Sequence, residues 1–135
     1  MPQLACGSFE VKITPLSQDD GSAGTAVPGR MSIDKQFRGD LEGTGKGQML
    51  TAGTDVKGSA GYVAIELVSG ILHGRTGTFI LQHSATMNRG TPQLSITVVP
   101  DSGTGELAGI SGSLNIDIAA GKHSYTFEYY LAVTA

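Results

Sequence analysis

Period-two alternation of apolar and polar residues runs through most of the chain, and it constrains the fold more than any other feature. In residues 8–14, for example, Phe9, Val11 and Ile13 would share one face of an extended strand. We find no convincing window with the 3.6-residue spacing of an amphipathic helix, although a single helical turn is expected around Glu106. The alternation therefore predicts an all-β protein.

Short segments rich in Gly divide this alternation into eight predicted strands. The predicted strands are 8–14, 31–37, 47–54, 62–73, 76–88, 93–100, 113–119 and 123–133. Short links such as Gly74-Arg75, Arg89-Gly90 and Ala120-Gly121 indicate antiparallel hairpins, and residues 15–29 form the one long loop. A sandwich and a barrel both suit this pattern, but closure removes exposed sheet edges. We predict a single closed eight-stranded antiparallel β-barrel domain over residues 1–135.

Composition excludes several classes of function. The 135 residues suit one domain, and the formal net charge of −3 leaves no basic face for a nucleic-acid backbone. No apolar run approaches the length of a membrane span, and the first residues lack the charged and apolar regions of an export signal. Cys6 is the only cysteine and cannot form an internal disulfide, so we predict a cytoplasmic protein that binds neither nucleic acid nor membrane.

Glu66 and His83 are the candidate catalytic residues. With Gly74-Arg75 as a two-residue turn, Glu66 lies opposite His83 on an otherwise apolar face, whereas a three-residue turn would move Glu66 to the other face. A carboxylate beside an imidazole can act as a general acid or base on a bound ligand. The alternative is a structural polar pair, or two residues that face solvent.

Five further residues are candidates for ligand binding: Lys35, Met49, Tyr62, Tyr125 and Tyr129. Lys35 is in phase with apolar neighbours and could anchor an anion inside the barrel, although a long basic side chain can also reach the rim. A turn near residues 57–58 would place Met49 opposite Glu66, on the face that also carries Tyr62. The tyrosines at 125 and 129 could stack on a ligand or belong to the core.

Metal and cofactor motifs are weak or missing. His123 could join Glu66 and His83 as a third ligand, but the spacing gives no support for a metal site. The segment 43–47 lacks the Lys-Ser/Thr ending and the helix of a phosphate-binding loop. The segment 103–109 is better explained as a tight connection in which Thr104 and Glu106 bind backbone groups. We therefore predict neither a metal nor a cofactor.

Four segments of the chain resemble those of an uncharacterised bacterial family, the "domain of unknown function 3224" family. They are GRTGTFILQH at 74–83, VVPDSGTGELAG at 98–109, GDLEG at 39–43 and YTFEY at 125–129. The family resembles allene oxide cyclases in fold, which implies an eight-stranded antiparallel barrel but does not transfer the cyclase reaction. The sequence departs from the family pattern in the 15–29 loop and at Asp101, where the pattern has Gly.

Three functions remain open at this point. The barrel could bind a small apolar ligand in its interior, which we favour, or act as an isomerase or cyclase-like enzyme through Glu66 and His83. It could also be a non-catalytic structural or interaction protein with a filled interior. The residues predicted to face outward include Val63, Ile65 and Leu67, an apolar patch that favours a homodimer.

Overall fold

A computed structural model describes residues 2–16 and 29–131 and shows a closed antiparallel barrel, in which each strand pairs with the next and β1 pairs with β8. The strands are β1 Gln3–Pro15, β2 Gly29–Gly39, β3 Leu41–Gly53, β4 Ala60–Leu72, β5 Arg75–Asn88, β6 Thr91–Val98, β7 Ser111–Ala119 and β8 Lys122–Tyr130. A 3₁₀ turn at Gly105–Leu107 is the one helical element of these residues, so both the barrel and the single helical turn are confirmed. Most of the predicted 15–29 loop lies outside the described residues.

Two-residue turns with positive φ at both positions connect three of the hairpins. Arg89-Gly90 and Ala120-Gly121 form two of them, as predicted. The turn between β4 and β5 consists of His73 and Gly74, with φ of 47° and 81°, and not of Gly74-Arg75 as expected. A positive φ is a left-handed backbone conformation, which glycine adopts more easily than other residues. In all three hairpins glycine takes the second position of the turn.

This correction shifts the pairing of β4 with β5 by two residues. Ala64, and not Glu66, lies directly opposite His83, while Glu66 lies opposite Leu81. Because side chains alternate with a period of two, the shift leaves every residue on its predicted face. Glu66 and His83 are therefore diagonal neighbours inside the barrel.

The two other predicted hairpin registers are confirmed. His83 pairs with Ile96 between β5 and β6, and Leu114 pairs with Phe127 between β7 and β8. The pairing of β3 with β4 differs from the prediction by two residues, so Ala64 lies opposite Met49.

The half of the barrel that contains the β4–β5 turn is filled by large apolar side chains. Its fully buried residues include Phe79, Phe127, Leu41, Leu72 and Leu107. The 3₁₀ turn covers this end, and the side chains flanking it bind the backbone of β5 as expected: Thr104 Oγ1 accepts from Thr78 N–H and Glu106 Oε1 from Thr76 N–H. No helix among the described residues is long and apolar enough to cross a bilayer.

Candidate functional site

The opposite half of the barrel interior contains a cavity of about 230 Å³. Inward-facing residues from all eight strands line it, and they are mostly apolar. The lining residues are Phe9, Val11, Ile13, Ile33, Lys35, Met49, Tyr62, His83, Leu94, Ile116, Ile118 and His123. Packing thus leaves one half of the barrel filled and the other half able to admit a small molecule.

A buried ionic cluster of Lys35, Glu66 and His83 lies between the cavity and the filled half. The Lys35 Nζ and His83 Nε2 atoms lie 3.0 Å and 2.8 Å from the same carboxylate oxygen, Oε1 of Glu66. The three side chains are almost fully shielded from solvent, with at most 6% of any one exposed. The structure therefore brings together both candidate catalytic residues and one predicted ligand-binding residue.

Lys35 reaches Glu66 because the strand between them has no side chains in the way. Lys35 on β2 pairs with Gly45 on β3, and Glu66 on β4 pairs with Gly47 of the same strand. A Cβ atom at position 45 would collide with Oε2 of Glu66, and one at position 47 would collide with the backbone of Ile65. These inward-facing glycines make room for a carboxylate and let it contact a cation two strands away.

The charges of the cluster determine the ionisation of Glu66. Burial by itself would raise the pKa of the Glu66 carboxyl group, but the hydrogen bond from His83 and the positive charge of Lys35 outweigh burial and lower that pKa below its ordinary value. The carboxylate is therefore ionised at neutral pH and holds both neighbours in place. Its second oxygen, Oε2, is buried and has no hydrogen-bond partner among the described residues.

Lys35 and His83 line the cavity, whereas Glu66 does not. The Lys35 ammonium group also lies over the rings of Phe9 and Phe37, with its Nζ atom 5.0 Å and 5.7 Å from the ring centroids. These cation–π contacts and the ion pair favour the charged amine within an apolar interior. His83 uses Nε2 to bind Glu66, and within the described chain its Nδ1 atom makes no hydrogen bond.

Apolar side chains surround the mouth of the cavity. Ile13, Leu94 and Ile118 line the cavity and remain 40% or more exposed. Tyr62 also lies here, and both burial and the negative charge of Glu66 raise the pKa of its phenol, which is therefore neutral at physiological pH. A second groove of about 470 Å³ shares Tyr62, Leu94 and Ile118 with the cavity, and its other described lining residues are not ionisable. The ionisable groups of the described cavity lining are thus Lys35, Tyr62, His83 and His123.

Tyr125 and Tyr129 do not line the cavity, although they share its face of the sheet. The Tyr125 hydroxyl accepts a hydrogen bond from Leu41 N–H at 2.9 Å and lies 3.0 Å from the carbonyl oxygen of Arg38. The Tyr129 hydroxyl contacts His73 at the β4–β5 turn. β8 begins at the cavity, where His123 lies, and continues into the filled half of the barrel. Tyr125 and Tyr129 lie further along this strand and pack in the core of the filled half.

Met49 and Tyr62 both line the cavity, but Met49 is not opposite Glu66 as the sequence predicted. His123 also lines it and packs against Phe9, with the two ring centroids 5.2 Å apart. In the described ranges, no group of three or more His, Cys, Asp or Glu residues is arranged to hold a metal ion.

Sequence reasoning did not identify the glycines of β3 as part of the site. Gly43, Gly45 and Gly47 alternate with Thr44 and Lys46, so the period-two pattern assigns all three glycines to one face. Three consecutive inward positions without side chains indicate that another strand's side chain occupies the space. That signal was present in the sequence and would have placed a large or polar group against β3.

Comparison with known proteins identifies the family. A family model described as "Protein of unknown function (DUF3224)" matches residues 5–129. The chain is also similar to a protein of unknown function from the DUF3224 family of Shewanella oneidensis MR-1, whose crystal structure is known. The two chains are 46% identical in sequence and superpose with a TM-score of 0.92, and the match covers 99% of this chain and 100% of that one. No curated protein matches the chain. The chain therefore belongs to the DUF3224 family.

Proposed function

We propose that this protein binds a small, largely apolar molecule inside its barrel. The cavity at the open half carries the proposal, because it combines an apolar wall, an apolar mouth and an ionic cluster at its floor. Ligand sites typically have this composition, with a few polar groups that orient an otherwise apolar molecule. A dry cavity of ~150 Å³ accepts benzene, so the observed volume suits a ligand of about ten non-hydrogen atoms.

The two alternative functions have less support. A barrel serving only as a structural or interaction protein would be expected to fill its interior, as this barrel does in one half only. An enzyme based on Glu66 and His83 would need both groups near the substrate, yet only His83 lines the cavity. In such an enzyme Glu66 would be a positioning residue. The cytoplasmic location is likewise part of our proposal, and it depends on the single, exposed cysteine Cys6.

Toluene is a suitable probe for this proposal, and methyl-detected nuclear magnetic resonance is a suitable readout. We expect toluene to shift the methyl signals of Ile33 and Ile116, which line the cavity. In Ile116→Phe the larger ring occupies part of the cavity, so the shift of the Ile33 methyl signals should weaken or vanish. Ile65→Phe makes the same change at an outward-facing, half-exposed position and should bind toluene like the native protein. Binding that is absent in the native protein, or unchanged in Ile116→Phe, would refute the proposal.

A further inference from the structure

Among the residues that the structure describes, none of those lining the cavity carries a carboxylate. Its ionisable lining residues are Lys35 from β2, Tyr62 from β4, His83 from β5 and His123 from β8. The Tyr62 phenol is neutral, because burial and the charge of Glu66 raise its pKa. Each of these described lining groups that can carry a charge at physiological pH is therefore cationic.

The floor of the cavity holds one negative charge for two potential cations. Lys35 and His83 bind the same oxygen of Glu66, and no second carboxylate approaches either of them among the described residues. With a neutral imidazole, the charges of Lys35 and Glu66 cancel. With a protonated imidazole, the cluster carries one uncompensated positive charge in an apolar interior, which is costly unless an anion is present.

We propose that the ligand of this cavity carries a carboxylate, and that its binding is coupled to protonation of His83. This inference depends on the proposed ligand-binding function and specifies the chemical class of the ligand. The carboxylate would lie against Lys35 Nζ and against Nδ1 of His83, the ring nitrogen that Glu66 does not use. One proton taken from solvent converts the neutral imidazole to imidazolium, so the occupied site contains two cations and two anions.

The coupling has a definite direction. Above the pH at which the free protein loses the imidazolium proton, each carboxylate bound should bring about one proton with it. Below that pH the imidazole already carries the proton, and binding should proceed without uptake. His123 also lines the cavity, but it lies against Phe9 and has no carboxylate partner among the described residues, so it does not share the charge of Glu66.

Isothermal titration calorimetry with a matched pair of compounds tests the inference. The probes are 3-phenylpropanoate and 3-phenylpropan-1-ol, which share their apolar part and differ in charge. In titrations at a series of pH values, we expect the acid to bind about tenfold or more tightly than the alcohol, the effect of one charge-assisted hydrogen bond. Titrations in phosphate and in Tris, whose ionisation enthalpies differ, should show proton uptake with the acid only.

Two histidine variants assign the proton. His83→Asn should abolish both the uptake and the preference for the acid while it still binds the alcohol. His73→Asn makes the same substitution at the far end of the barrel, where asparagine tolerates the positive φ, and should retain both properties. Uptake that persists in His83→Asn would overturn the inference. Equal binding of acid and alcohol would also overturn it but would leave the proposed function standing, whereas failure of both compounds to bind the native protein would reject the two together.

Discussion

Replacing Glu66 with Gln removes the only negative charge of the buried cluster while nearly preserving its shape. The Lys35 side chain is 6% exposed and would remain inside the barrel without a counterion. Removing one partner of a buried ion pair costs about 3–5 kcal/mol, because the remaining charge is uncompensated. We therefore expect Glu66→Gln to lower the free energy of unfolding by about 3 kcal/mol. With a urea m-value of about 1.5 kcal/mol/M, this corresponds to a fall of about 2 M in the urea midpoint.

Two further variants show whether the loss comes from the unpaired charge. Lys35→Met combined with Glu66→Gln removes both charges and should be more stable than Glu66→Gln alone, because well-packed uncharged residues often replace a buried ion pair at little cost. Glu10→Gln makes the same substitution in an exposed ion pair with Arg38 and should leave the urea midpoint unchanged. The reasoning fails if Glu66→Gln costs less than about 1 kcal/mol, or if the double variant is the least stable of the three.

The same cluster predicts how stability depends on pH. The folded pKa of Glu66 lies below the ordinary value of 4.5, so between these two values the unfolded chain binds more protons than the folded one. The stabilisation by ionised Glu66 is fully present above the ordinary value and is lost as the pH falls through the folded pKa. The difference in unfolding free energy between the native protein and Glu66→Gln should therefore shrink on acidification. A difference that stays constant down to about pH 3 would contradict this assignment.

Three other predictions concern the backbone and the outer surface. Gly45→Ala should destabilise the protein by about 1–3 kcal/mol, because the new methyl group displaces the Glu66 carboxylate; Gly53→Ala, with no atom within 4 Å of the added Cβ, should be far milder in the same urea titration. Asp101 has a φ of 62°, so Asp101→Gly should raise the thermal midpoint through a gain of about 0.5–1 kcal/mol, and a lower midpoint would contradict this. We further propose that the half-exposed apolar residues of β4 form a homodimer interface. Sedimentation should then show a dimer, which Ile65→Asp converts to a 13.9 kDa monomer. Native protein that sediments as a monomer at every concentration would reject this interface.

Alternation of side chains along the strands was sufficient to predict the all-β class and the inward-facing set of residues, whereas the choice of a barrel over a sandwich depended on the argument that closure removes exposed sheet edges. A period of two assigns each residue to one face of the sheet, and this assignment stays correct when the predicted pairing is shifted by two residues. For this reason the sequence placed Glu66 and His83 on the same inner face even though the β4–β5 turn consists of His73-Gly74 and not of Gly74-Arg75. The left-handed backbone of that turn explains the difference, since glycine suits its second position.

Depth within the barrel was decided by the tertiary structure alone. Lys35, Tyr62 and Tyr125 all face inward, yet the first two line the cavity and Tyr125 lies in the filled half. The contact between Lys35 and Glu66 likewise depends on the empty inner face of β3 at Gly45. Period-two alternation specifies a face but not a height along the barrel axis, and whether space remains at a given height depends on the combined volumes of side chains from all eight strands.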